Sequence, residues 1–184
     1  MEKLPKQPEE IELQFIEKIA DNMHTFGVSE TVGRVLGTIY MNREPMTLDQ
    51  LSEATGMSKM RMSQVVREMI ELNIAEKVFK KGVRKDLIGV ESDYYQTFIA
   101  LFTSNWQKAV NTSRRFERNL SQELHAIKSI SENAQLEEET EENLNELLRE
   151  TKLWVDYYDW ISRLIDFFES GEVFNHVPKD MEEE

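Results

Sequence analysis

Apolar residues recur at helical spacing along most of the chain, with one interruption. Ile16, Ile19, Met23 and Phe26 follow at intervals of 3, 4 and 3, the seam of an amphipathic helix. Pro8, Glu9 and Glu10 suit its first turn, where a missing N–H is harmless and carboxylates meet the positive end of the dipole. Gly27 closes it and Ser29 caps the next helix, whose Val32, Val35, Leu36, Ile39 and Tyr40 share one face. Gly33 and Gly37 lie four apart on that helix. The spacing fits either a close approach by another helix or two tolerated small residues.

Pro45 breaks the pattern. Thr47 with Gln50 three residues on is a capping box, opening a short helix with Leu48, Leu51 and Ala54 inside. Gly56 ends it, and Ser58 caps a further helix with Met62, Val65, Val66 and Met69 on its inner side. Two helices joined through such a short turn form a helix-turn-helix. The apolar period then changes. Ile74–Phe79 and Leu87–Val90 are short β-branched runs on either side of KKGVRKD, which predicts a hairpin with Gly82 at its tip. From Asp93 onward helix returns, with Tyr95, Phe98, Ile99, Phe102, Trp106 and Ala109 on one face, continuing through Phe116, Leu120, Leu124 and Ile127. A polar stretch at Ser131–Asn133 predicts a bend or loop. The last helix, about Glu139 to Ser170, carries two apolar rows: Trp154, Tyr158, Ile161, Ile165, Phe168 and Leu153, Tyr157, Trp160, Leu164, Phe167. Two neighbouring rows require more cover than a narrow seam supplies.

The predicted fold is mainly α: a winged helix-turn-helix with a small β-hairpin wing, flanked by long dimerisation helices. Residues 1–27 form the N-terminal dimerisation helix, 28–92 the winged module, and 93–184 a helical dimerisation and effector-sensing region.

Composition narrows the function. Absence of cysteine removes disulfide scaffolds, thiol nucleophiles and thiolate metal sites, and fits a reducing cytoplasm. The N-terminus lacks the apolar core of a secretory signal, and no apolar run is long enough to span a membrane. A net charge of −13 argues against nucleic acid until its distribution is considered. Residues 119–184 hold 5 Lys/Arg against 18 Asp/Glu, whereas residues 1–118 hold 17 of each. Within the neutral part, residues 57–91 hold 8 basic against 5 acidic residues.

Those bases fall where a winged helix meets DNA. The helix after Gly56 presents Ser58, Lys59, Met60, Arg61, Ser63, Gln64 and Arg67 outward, and its first turns enter the major groove. Arg61 has the fork that matches guanine O6 and N7, and Gln64 the one that matches adenine. Lys80, Lys81, Arg84 and Lys85 surround Gly82, placing positive charge at the wing for phosphate or an adjacent minor groove. Glu68, Glu71 and Glu76 stay off the helix start and the wing tip. The expected partners are double-stranded DNA with an inverted repeat and a second copy of the chain, paired through the flanking seams. The competing readings are a protein-interaction adaptor that uses the winged helix for docking, and a DNA-binding regulator without a small effector.

The runs MTLDQL, GMSK, KGVRKDL and DYYQTF, within about residues 10–125, resemble the GbsR group of MarR-like transcriptional regulators. The resemblance implies a dimeric winged-helix repressor of genes for choline uptake or glycine betaine synthesis, relieved by choline or a related quaternary ammonium compound. A permanent cation is held by electron-rich ring faces. An aromatic cage of Tyr40, Tyr95 and Trp106 is expected on that basis, with no cofactor. His24, His125 and His176 stand apart, without HExxH or a phosphate-binding glycine loop, so neither catalytic nor metal-binding residues are expected.

Overall fold

The structure, a computed structural model, describes residues 7–82, 84–131 and 138–179. Pro8 stands in the first turn of α1 (Pro8–Asn22), which tightens into a 3-10 turn over Met23–Phe26. Next comes α2 (Glu30–Asn42), preceded by Ser29 in extended conformation. Ser29 occupies the cap position as expected, but its side chain makes no capping hydrogen bond.

The two glycines of α2 have a steric purpose. A Cβ at Gly33 would lie 2.6 Å from the Ala20 Cα and 2.5 Å from the Met23 Cγ, while one at Gly37 would lie 3.0 Å from the Ile16 Cα. Of the two readings open in the sequence, close helix approach is the one realised. Arg34 and Glu17 clamp the same pair of helices, with Nε and a terminal guanidinium nitrogen donating to the two carboxylate oxygens at 3.0 and 2.8 Å. These hydrogen bonds hold the Glu17 carboxyl below its ordinary range.

Strand β1 (Met46–Thr47) leads into α3 (Leu48–Thr55), whose capping box forms as predicted. Thr47 N donates to Gln50 Oε1 at 2.8 Å, and Gln50 N donates to Thr47 Oγ1 at 3.3 Å. Gly56 turns the chain at φ +70° into α4 (Lys59–Glu71). The wing is β2 (Ala75–Val78) against β3 (Leu87–Val90), antiparallel, with Ala75 opposite Val90 and Val78 opposite Leu87. Ile74 and Phe79, expected within the first strand, fall outside it. A third strand was not foreseen: β1 adds to the free edge of β3 with Met46 opposite Ile88, giving the order β1-β3-β2. Two residues before a capped helix carry no readable alternation.

Helix α5 runs Tyr94–Ser131 and α6 runs Glu138–Glu169, followed by a short α7 (Val173–His176). The expected bend lies at the end of α5 and beyond the described residues. Among the described residues, no helix is long and apolar enough to cross a membrane.

The chain divides into two compact units, Met1–Asn105 and Trp106–Glu184. Helix α1, the 3-10 turn and the first three turns of α5 belong to the same unit as the winged module. The first unit is centred on Val32, Val35, Leu36, Leu51, Met62, Val65, Met69, Ile74, Ile88 and Leu101. On α5 the expected face is buried only in part: Ile99 and Leu124 are buried, whereas Tyr95, Phe98, Phe116 and Ile127 are about half exposed. Thr97 and Leu101, off that face, are buried as well. Thr97 tolerates burial because its hydroxyl pairs with the Tyr40 hydroxyl at 2.7 Å. In the second unit Val110 of α5 packs with Ile161 and Ile165 of α6, flanked by Trp106 and Tyr158. Tyr158, Ile161 and Ile165 of the first apolar row of α6 therefore supply the core there. Trp154 of that row and Leu153, Tyr157 and Trp160 of the second stay about half exposed, and Leu164 and Phe167 are half-buried.

The glycine contacts generate a stability prediction. Gly33→Ala gains about 1 kcal/mol of helix propensity but forces backbone against backbone, an overpacking cost of about 1–3 kcal/mol. Thermal or urea unfolding should show Gly33→Ala less stable than Gly37→Ala, whose nearest contact is looser. A Gly33→Ala protein as stable as the parent would mean the two helices do not meet there.

Candidate nucleic-acid interface

Helix α4 is divided lengthwise by burial. Met62, Val65, Val66 and Met69 are 0–4% exposed and anchor the inner face. The opposite face must then be solvent-facing: Ser58, Lys59, Met60, Arg61, Gln64 and Arg67 are exposed, and Ser63 is half-buried. Ser58 caps the helix by accepting from the Arg61 N–H at 3.3 Å, which fixes where its first turn begins. The far end is fixed as well, because Ser104 of α5 donates to the Leu72 carbonyl at 3.1 Å. Asn105 donates to the Phe26 carbonyl, and Thr97 meets Tyr40. Three polar side chains thus join the start of α5 to the end of α4, to the 3-10 turn and to α2.

At the wing, Lys80, Lys81, Arg84 and Lys85 are all exposed around Gly82, whose φ of +89° makes the tight tip. Phe79 beside them is 88% exposed. The expected basic side chains are therefore displayed by two elements of one unit.

Their charges are less free than the sequence implied. Asp49, in the first turn of α3, places one carboxylate oxygen 2.5 Å from the Lys59 Nζ and the other 2.5 Å from the Lys85 Nζ. Lys77 pairs with Asp86 at 2.6 Å, and Lys80 with Glu44 at 3.4 Å. Among the described residues, Glu68, Glu71 and Glu76 make no such pairs; the acids that do come from α3, the loop before β1 and the position just before β3. Asp49 and Glu44 are each 36 residues from their wing partner, so local sequence held no signal for them. Among the described residues, Arg61, Arg67, Lys81 and Arg84 have no acidic partner. The lysines of this face are mostly compensated and the arginines are not. Guanidinium groups are the ones with the planar fork that base edges and phosphates accept.

Of the expected cage residues, Tyr40 packs edge-on against Tyr94 at 5.0 Å between ring centroids. It lines a cavity of about 210 Å³ in the first unit with Met23, Phe26, Tyr94, Phe98 and Leu101. Burial raises the Tyr40 hydroxyl's pKa, partly opposed by the Thr97 hydrogen bond. Tyr95 stands half exposed at the start of α5, its N–H donating to Asp93 Oδ1 at 2.9 Å. Trp106 belongs to the second unit and packs beside its core.

A capped helix set between a core and solvent, followed by a basic hairpin, defines a winged helix-turn-helix fold. The fold is shared with a crystal structure of a transcriptional regulator at a TM-score of 0.55 and 15% identity, over 87% of this chain and 99% of that one. The chain belongs to the GbsR family of transcriptional regulators. Residues 94–175 match that family's C-terminal helical hairpin. From Bacillus subtilis, the HTH-type transcriptional repressor OpcR is 63% identical over 95% of this chain and 92% of its own. The putative HTH-type transcriptional regulator YvaV is 61% identical over 93% and 94%, and the HTH-type transcriptional repressor GbsR 31% over 89% and 88%.

The double ion pair has a pH signature. The two lysines hold the Asp49 carboxyl at about 2, through their hydrogen bonds first and their charge second. A depressed carboxyl stabilises the fold above its unfolded value and loses that contribution as pH falls through the folded one. In a carboxyl-carbon NMR titration, Asp49 should titrate near 2, and Lys59→Gln with Lys85→Gln should return it towards ~3.9. An ordinary midpoint in the parent protein would mean the lysines are free.

Proposed function

We propose that the chain is a cytoplasmic, dimeric repressor that binds an inverted repeat in double-stranded DNA. In this reading α4 enters the major groove, the wing lies over the adjacent backbone, and residues 28–92 are the DNA-binding module. The observation that carries it is the display of Arg61, Arg67, Lys81 and Arg84, unpaired with any described acid, on the two elements that meet a duplex in this fold. The names of two relatives, OpcR and GbsR, as transcriptional repressors favour repression over activation. Dimerisation is favoured by the half-exposed Leu153, Trp154, Tyr157 and Trp160 of α6 and by Ile11, Leu13 and Phe15 of α1, which are 44%, 60% and 56% exposed. A net charge of −13, concentrated in the last third, favours approach to phosphate by the basic face alone.

Footprinting on the DNA upstream of its own coding sequence should show two half-sites about one helical turn apart. Arg61→Ala should cost about 1–3 kcal/mol and relax preference at one base pair, while Lys81→Ala weakens all sequences alike. A single protected half-site, or a changed base preference for Lys81→Ala only, would refute this docking.

The regulated genes proposed are those for choline uptake or glycine betaine synthesis, with choline or a related quaternary ammonium compound releasing the DNA. Support comes from the family and from the aromatic lining of the cavity beside Tyr40. An effector shifts DNA affinity only by its own differential affinity for the bound and released forms. Calorimetry with choline at millimolar concentration should show heat that Tyr40→Ala reduces. No heat would leave a repressor without this effector; heat unaltered in Tyr40→Ala would remove that residue from the site.

A further inference from the structure

The double ion pair at Asp49 has a bearing on DNA selection, taking the DNA-binding reading above as given. We infer that Asp49 is a specificity-determining residue: it holds Lys59 and Lys85 off the phosphate backbone until α4 is seated in a groove.

One carboxylate here joins three parts of the interface. Asp49 projects from α3, Lys59 is the first residue of α4, and Lys85 lies at the base of the wing before β3. Both oxygens are committed, one to each Nζ, at 2.5 Å. Two lysines that would each offer a unit charge to any phosphate together present a net single charge. Sequence-independent binding consists almost wholly of such phosphate contacts, whereas base contacts add the specific share. On a duplex of the wrong sequence nothing draws α4 deep into the groove, and the lysines keep their internal partner. On an operator, Arg61 and Gln64 meet base edges, and the phosphates flanking the groove come within reach of both Nζ groups. The carboxylate thus weakens the sequence-independent contribution and leaves the base-reading side chains untouched. The exposure of all three side chains makes the exchange from carboxylate to phosphate sterically open: Lys59 and Lys85 are 74% and 67% exposed, and Asp49 39%.

The test measures affinity of the full-length protein for a random-sequence 30-base-pair duplex across a salt series. Asp49→Asn should bind it several-fold more tightly at low salt. Its log–log salt slope should steepen by about 0.9 for each added phosphate contact, an extra loss of roughly three- to four-fold between 50 and 200 mM. Glu53→Gln removes the same charge from the exposed side of the same helix without touching either lysine, and should change the slope less. In a Lys59→Gln, Lys85→Gln background the Asp49→Asn effect should vanish, the coupling expected when a residue acts through its partners. An unchanged slope, weaker binding in Asp49→Asn, or an equal effect from Glu53→Gln would each overturn the inference while leaving DNA binding intact. Parent protein that binds neither this duplex nor its own upstream DNA at low salt would instead overturn the DNA reading.

Discussion

Burial of one side of α4 is the constraint on which the rest of the molecule depends. Met62, Val65, Val66 and Met69 cannot leave the core without exposing four large side chains, each worth roughly 1.5–3 kcal/mol when buried. With those four in place, a period of 3.6 leaves the other side of the helix no option but solvent. Cap and anchor then set its length and pitch: Ser58 at one end, and the Leu72 carbonyl held by Ser104 at the other. The helix proposed to read DNA is positioned by its hydrophobic side, not by the polar residues it presents to solvent.

Charge operates on a second level. The chain as a whole repels a polyanion, and even its basic face is largely compensated, lysine by lysine, by carboxylates drawn from elsewhere in the fold. What remains uncompensated is mainly arginine. In the proposed docking, such a face offers few free charges to arbitrary backbone, so selection falls to side chains that can meet base edges.

Most of the winged fold was legible in the sequence because its signals are local. The Thr47–Gln50 capping box, the turn at Gly56, the apolar side of α4 and the wing around Gly82 each arise from residues a few positions apart. Features that depend on distant partners were not. Strand β1 exists because β3 has a free edge, and two residues show no alternation of their own. Tyr95 and Phe98 lie on the expected face of α5 but stay about half exposed, while Thr97 off that face is buried, because what covers them, Phe26 beside Phe98 and Tyr40 on Thr97, is distant in sequence. Asp49 read as an ordinary acid in a helix's first turn, because its lysines lie 10 and 36 residues away in sequence. Of the candidate interface the positions were readable and the pairing was not.

The Ser104 contact has an evolutionary corollary. It grips a main-chain carbonyl, which every amino acid supplies, so this anchor of α4 is indifferent to which side chains the helix turns to solvent. Positions 60, 61, 64 and 67 can therefore drift without unsettling the scaffold, and a duplicated gene can acquire a new target site while inheriting the old architecture unchanged.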